Sequence, residues 1–159
     1  PSKNARKREQ HELQALGEQL IGLPDATRRE LPLGDRLHEA IDDIHRMSSH
    51  EAIRRQKQYI GKLMRLVDPA PIRALFAARV ASDRQQKRLF AQAERWRDRL
   101  IAEPGELAEL TAETGCDATA IERVLAELGA TTNERTERHL RRELFRAVHA
   151  VLAAPAAGG

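Results

Sequence analysis

Residues 51–68 read EAIRRQKQYIGKLMRLVD and concentrate side chains that can bind a polyanion. Lys and Arg neutralise phosphates, and the planar guanidinium of Arg can hold a phosphate through two parallel hydrogen bonds. An aromatic ring beside such cations can stack on an unpaired base, which is a main mode of RNA recognition. Both kinds of group occur here, in Arg54, Arg55, Lys62, Arg65 and Tyr59. Phosphate binding combined with base stacking is the first chemistry that this sequence suggests.

A helical wheel separates this stretch into two faces. With Ile53 at zero and about 100° per residue, the cations lie between about 100° and 200°. The apolar side chains lie between about 280° and 20°: Ile60, Leu63, Met64 and Val67. Tyr59 is at the border, and Gly61, which costs a helix about 1 kcal/mol relative to Ala, suggests close approach by another backbone or a ligand. A basic face is also typical of a merely solvated helix, and Tyr59 could rest on the core, so the pattern alone leaves both interpretations open.

Other residue patterns that could do chemistry are weaker. His38, Asp42 and His45 have a spacing that can place three metal ligands on one helix face, which would suit a metal-dependent hydrolase. No matching set of ligands stands out elsewhere, and we interpret the three as surface polar residues. Cys116 is the single cysteine, which we expect to be a small, at least half-buried residue. The sequence has no phosphate-binding Gly-rich loop and no nucleophile elbow, so we expect no enzyme activity, no metal and no cofactor.

Charge is distributed unevenly along the chain. Residues 1–99 carry 21 Lys or Arg and 14 acids, whereas residues 100–132 carry one Arg and seven acids. Of the 27 basic residues 22 are Arg, a bias that suits RNA. The acidic stretch 106–128 supports an alternative hypothesis, a protein-binding adaptor that docks a basic protein. No apolar stretch approaches the ~20 residues of a bilayer span and no signal peptide is evident, so we expect a cytoplasmic protein without a membrane partner.

The elements that position these residues are predicted to be helices, because aromatic residues are scarce and Ala, Leu, Arg and Glu abound. The apolar spacing predicts a basic-headed helix over 3–23 and a second helix through Leu37 and Met47. A capping box of Ser48 and Glu51 begins a third helix that ends near Val67. The stretch 72–102 contains neither Pro nor Gly, which predicts one helix about 45 Å long.

The C-terminal third is predicted to hold a helical hairpin and a last helix. The hairpin has an acidic helix stopped by Gly115 and a helix capped by Thr119 with Glu122. The last helix is capped by Thr131 with Glu134, and AAPAAGG follows as a frayed tail. On that helix Arg135, Arg138, His139 and Arg142 share one face, which we interpret as mainly solvated. The expected fold is all-α, with a helical subdomain over 1–70, a connecting helix over 71–103 and a second subdomain over 104–159.

The segment RRQKQYIGKLMR, residues 54–65, resembles the signature of the YjgA family, also called the DarP family of dual-action ribosomal maturation proteins. Further segments resemble that family in the same order, and together they cover most of residues 1–102: PSKNARKREQHELQALGEQL, LPLGDRLHEAI, HEAIRRQ, DPAPIRAL and ERWRDRLI. The resemblance implies a small helical cytoplasmic protein without catalytic activity. It implies binding to rRNA of the large (50S) ribosomal subunit precursor and promotion of its late maturation, including the peptidyl transferase region.

Carried over residue by residue, the resemblance implies an RNA-binding set: Lys3, Lys7, Arg8, Arg54, Arg55, Gln58, Tyr59, Gly61, Lys62 and Arg65. Lys57 departs from the family pattern, which usually has an apolar residue there. The expected partners are the large-subunit precursor, its rRNA and ribosomal proteins or other assembly factors. The oligomeric state is left open.

Overall fold

The computed structural model describes residues 2–155, and the regular secondary structure in that range is entirely helical. This confirms the predicted all-α class. The α-helices are α1 (Lys3–Ile21), α2 (Asp25–Arg29), α3 (Asp35–Ile44), α4 (His50–Leu63), α5 (Ala70–Ala102), α6 (Leu107–Thr114), α7 (Thr119–Ala130) and α8 (Glu134–Ala153). Single turns of 3-10 helix follow α4 at Met64–Leu66 and precede α6 at Pro104–Glu106. None of the helices in this part of the chain is long and apolar enough to cross a membrane.

Three helix starts differ from the predicted capping boxes. Ser49, not Ser48, caps α4, and its hydroxyl accepts a hydrogen bond from the Ala52 amide at 3.4 Å. At the start of α7 the acceptor is Asp117, which binds the Thr119 amide at 3.0 Å. Asn133 caps α8 by accepting from the amides of Arg135 and Thr136. In each case a capable neighbour supplies the cap, because several adjacent polar residues can accept from the first helical amides.

Helix α4 is shorter than the predicted helix, which extended to Val67. It ends at Leu63, and the next three residues tighten into a 3-10 turn. Tightening of the last turn is a common way to satisfy terminal carbonyls. The corner then forms as expected, with the Asp68 carboxylate accepting from the Ala70 amide at 3.0 Å at the start of α5.

The chain divides into two compact units, and unit 1 is Pro1–Val80. Its core is built by α1, α3, α4 and the start of α5, with Leu20, Ile41, Ile60 and Ile72 fully buried. Helices α1 and α4 approach closely at Gly17, where an added Cβ would lie 3.0 Å from Cγ of Met64 and 3.1 Å from Cγ2 of Ile60. Small residues at the crossing allow the two backbones this approach.

Unit 2 is Ala81–Gly159. Its core contains Trp96 and Leu100 of α5, Leu110 of α6, and facing residues of α7 and α8. The closely packed pair is α7 with α8, joined by residues 131–133, rather than the predicted hairpin of α6 with α7. Gly115 ends α6 in the left-handed region, at φ 66°, as its position predicted. Cys116 is half-buried, as expected.

The long predicted helix is present as α5, which has 33 residues. Every residue over 77–88 is exposed, in keeping with the polar sequence there. The boundary between the two compact units falls within α5, after Val80. The division into a subdomain, a connecting helix and a second subdomain stays a prediction. Of the predicted frayed tail, residues 156–159 lie outside the described residues.

Candidate RNA-binding surface

Helix α4 and the 3-10 turn after it position most of the predicted RNA-binding residues. Its apolar face is held in the core by Ile60, Leu63 and Met64. The opposite side is exposed, as the wheel predicts, and presents Arg54, Arg55, Gln58, Tyr59, Lys62 and Arg65 to solvent. Tyr59 is 43% exposed, so its ring is accessible on one side. We call these six residues, with Leu66, the α4 basic surface.

Glu51 engages the two N-terminal arginines of this surface. Its carboxylate lies 2.6 Å from Nη2 of Arg54 and 3.1 Å from Nε of Arg55. The hydrogen bond from Arg54, opposed by partial desolvation and reinforced by Arg55, lowers the pKa of Glu51 below its ordinary value. The same bond raises the pKa of Arg54. Glu51 therefore stays ionised and offsets part of the positive charge of Arg54 and Arg55.

Lys62 and Arg65 differ from the first two cations, because no carboxylate of residues 2–155 lies within 4.0 Å of either one. They are flanked by Tyr59 and by Leu66, which is 74% exposed. Tyr59, Lys62 and Leu66 follow one another at intervals of three and four, which places them along one side of the helix. Leu66 was missed from the sequence, although its interval of seven from Tyr59 is the signal that could have identified it. Available cations and exposed apolar groups meet at this end of α4.

Gly61 is buried, and the side chain of Gln14 from α1 lies over it. Gln14 donates a hydrogen bond from Nε2 to the Lys57 carbonyl at 2.8 Å, and a Cβ at Gly61 would lie only 1.7 Å from its Oε1. The close approach expected at Gly61 is thus made by a side chain of α1. Lys57 turns its ammonium group outward, 3.9 Å from a carboxylate oxygen of Glu18. A cation is accommodated there because its apolar stem can follow the helix surface.

The first turns of α1 expose three cations to solvent: Lys3, Lys7 and Arg8. The first turn of this helix contains no acidic residue. Further along α1, Gln14 lies over Gly61 and Glu18 lies 3.9 Å from Lys57, so this helix packs on α4. Cations at a helix N-terminus oppose the macrodipole, and a bound anion would relieve this cost.

Two residues of the metal-like pattern, His38 and Asp42, contact the buried side chain of Arg28. Its guanidinium is inaccessible to solvent, donates to Asp42, and lies 2.9 Å from Nδ1 of His38 and 3.2 Å from its carbonyl. Desolvation acts to raise the pKa of Asp42, but the hydrogen bond and charge of Arg28, aided by Arg29 and Arg46, hold it below 3.8. Among residues 2–155 no cluster of three metal-type ligands is found. His38 and Asp42 serve the fold of unit 1 instead, a role that the sequence pattern did not reveal.

The acidic stretch of unit 2 is partly neutralised within the fold. Arg99 donates to Glu106 and lies 3.0 Å from Glu109, while Arg123 bridges Glu127 and Glu143 at 3.4 and 3.0 Å. Glu113 and Glu122 remain exposed. The acidic stretch therefore offers a basic partner fewer unpaired carboxylates than the sequence suggested. The adaptor hypothesis stays a prediction.

The family model and the similar curated proteins all carry the same name. The family model described as "Dual-action ribosomal maturation protein DarP" matches residues 1–149. A protein of that name from Thiobacillus denitrificans is 37% identical over 155 residues, which are 97% of this chain and 88% of the relative. One from Methylobacillus flagellatus is 32% identical over 158 residues, covering 99% and 88%. One from Nitrosomonas eutropha is 44% identical over 109 residues, covering 69% of this chain and 62% of the relative. Since these matches include the helices of the α4 basic surface and extend through unit 2, the chain belongs to the DarP family.

Proposed function

We propose that this protein is a non-enzymatic ribosome assembly factor that binds rRNA of the large (50S) subunit precursor through the α4 basic surface. The observation that carries the proposal is the pair Lys62 and Arg65, free of carboxylate partners among the described residues and flanked by exposed Tyr59 and Leu66. The relatives are named ribosomal maturation proteins, which supports a ribosomal partner.

The binding mechanism follows from the chemistry of the surface. Lys62, Arg65 and the arginines near Glu51 neutralise backbone phosphates and release their counterions, which favours binding at low salt. Tyr59 stacks on an unpaired base, with Leu66 extending the apolar contact. The exposed cations Lys3, Lys7 and Arg8 extend the contact along the strand. Gly61 contributes indirectly, because it allows Gln14 to hold α1 against α4.

A factor of this kind acts by holding rRNA in an unpaired state. Rigid helices present the cations and the ring at fixed positions, so little order is lost on binding. Occupying a single-stranded segment prevents its premature pairing with a wrong partner. Release after neighbouring rRNA has folded would then promote late maturation, including that of the peptidyl transferase region. The protein is expected to act in the cytoplasm, where the precursor is assembled.

Co-sedimentation tests the RNA assignment against the adaptor alternative. The full chain is centrifuged with purified large-subunit precursor, and separately with the ribosomal proteins extracted from it after RNase treatment. We expect the protein to sediment with the intact precursor and not to bind the extracted proteins. The variant E113Q/E122Q, which removes two exposed acids, should bind the precursor like the unchanged chain. Retained binding to the RNA-free proteins, lost in E113Q/E122Q, would overturn the proposal in favour of the adaptor.

A further inference from the structure

Helix α8 carries a second row of cations, in unit 2. Arg138, Arg142 and Arg146 are exposed and repeat every four residues, on the side opposite the buried Leu140, Leu144 and Val148. No carboxylate of residues 2–155 lies within 4.0 Å of any of the three. We call these residues the α8 arginine row.

Other arginines of unit 2 do pair with carboxylates. Arg141 lies 3.0 Å from Glu137, and Arg123 lies 3.0 Å from Glu143. Glu134, one turn before Arg138, does not reach it within pairing distance. The sequence therefore supplies acids to α8 and the fold directs them away from the α8 arginine row. Free guanidinium groups at regular spacing suit a ligand with regularly spaced anions.

An accessible aromatic pair borders this row. Phe90 of α5 is 51% exposed, and its ring centroid lies 4.8 Å from that of Phe145, between Arg142 and Arg146 in the sequence. The guanidinium of Arg97 lies 5.9 Å from the centroid of the Phe145 ring, and the His149 ring centroid lies 5.8 Å from it. The chain has only three Phe residues, and two of them lie here. An exposed ring that is held by contact with a second, tilted ring offers a face on which a base can stack.

We propose that unit 2 carries a second binding surface for single-stranded RNA, made of the α8 arginine row and the Phe90–Phe145 pair. This proposal rests on the proposed function and extends it to a second contact on the same class of ligand. Steps of four helical residues advance about 6 Å, comparable to the separation of successive phosphates in an extended strand. An acidic peptide would also pair with the arginines but would leave the Phe90 ring in water, whereas a nucleotide uses both groups.

The test measures binding of a fluorescein-labelled single-stranded oligouridine to the full chain by anisotropy, over a series of salt concentrations. We expect R138Q/R142Q to make the log-log salt slope shallower by about 1.4, since each phosphate contact contributes about 0.7. F90A should weaken binding between about fivefold and a hundredfold, and F90Y should retain it because its ring still stacks. The matched control is R36Q/R46Q in unit 1, on α3 and just after its end, which removes the same charge and should leave the slope unchanged.

Cross-linking supplies a measurement on the unchanged chain. The same strand carrying 4-thiouridine should cross-link to the tryptic peptide LFAQAER, residues 89–95, which contains Phe90. The second surface is overturned if R138Q/R142Q and F90A bind like the unchanged chain while K62Q/R65Q loses affinity, a result that leaves the proposed function intact. Failure of the unchanged chain to bind any RNA would overturn both. Displacement of the strand by poly-glutamate at lower concentrations than by unlabelled oligouridine would overturn the RNA ligand in favour of an acidic protein.

Discussion

At the scale of single residues, Glu51 controls how much charge the α4 basic surface offers. It forms exposed ion pairs with Arg54 and Arg55 at 2.6 and 3.1 Å. Exposed pairs of this kind are weak because solvent screens them, so an RNA phosphate can displace the carboxylate. The carboxylate nevertheless remains close to any phosphate bound by these arginines and repels it. Glu51 is therefore expected to reduce the affinity for RNA.

Replacement of Glu51 tests this role. We expect E51Q to strengthen binding of single-stranded RNA by up to about fivefold, because the weak surface ion pairs no longer compete with phosphate for the two arginines. The measurement is an anisotropy titration at constant salt. The matched control is D43N, which releases Arg46 from an exposed ion pair at 3.6 Å. This pair lies at the end of α3 and is not part of the α4 basic surface. Weaker binding by E51Q would contradict the assignment of Arg54 and Arg55 to the RNA contact.

Single residues were also where sequence reasoning was least complete. Arg28 lies in the segment DATRRE, residues 25–30, four of which are charged, and nothing in its spacing indicates burial. Its burial depends on His38 and Asp42 arriving from α3, a tertiary arrangement that local periodicity does not encode. The exposed Leu66 was assigned to no surface, although its interval of seven from Tyr59 places it on the same side of the helix.

At the scale of elements, the packing of α1 on α4 sets the geometry of the surface. Two glycines permit the close approach, but they face different obstacles. A methyl group at Gly61 would collide with the amide end of Gln14, a half-buried flexible side chain, at 1.7 Å. A methyl group at Gly17 would press on Ile60 and Met64, which are fully buried. A stiff β-branched side chain in a packed core has little freedom to move.

We therefore predict that G17A destabilises the protein more than G61A, although the contact at Gly61 is the shorter one. In G61A the lost Gln14 hydrogen bond, about 1 kcal/mol, is offset by a helix propensity gain of about 1 kcal/mol. In G17A overpacking costs about 1 to 3 kcal/mol against the same gain. Urea unfolding followed by circular dichroism measures both free energies. A larger loss in G61A would show that Gln14 is held more rigidly than this account assumes.

Elements themselves were predicted well, whereas their ends were not. Long apolar periodicities and the positions of Pro and Gly are local signals, and they predicted α1, α3, α4, α5 and α8. The predicted capping residues were wrong where the sequence offers adjacent candidates, as in Ser48–Ser49 and Thr131–Thr132–Asn133. The direction of the incoming chain decides which of these residues accepts the hydrogen bond. The pairing of α7 with α8 depends on the core of unit 2, which no local signal describes.

At the scale of the whole molecule, the question is whether the cations of the α4 basic surface, rather than the net charge, bind the precursor. The net charge is only +3, so nonspecific attraction to RNA is modest. Lys62 and Arg65 on one side and Arg36 and Arg46 on another therefore make a matched comparison. Helix α3 contacts α4 through Gln56, which donates to the Ala40 carbonyl at 2.8 Å on the side away from the basic face. The two pairs carry equal charge at different places on unit 1.

The most direct measurement is the salt dependence of binding to purified large-subunit precursor, made with the unchanged chain, K62Q/R65Q and R36Q/R46Q. Circular dichroism melts first establish that all three are folded. The account predicts that the log-log slope becomes shallower by about 1.4 in K62Q/R65Q, because two phosphate contacts are lost, and stays unchanged in R36Q/R46Q. Equal slopes for K62Q/R65Q and the unchanged chain would contradict the central claim that the α4 basic surface binds rRNA.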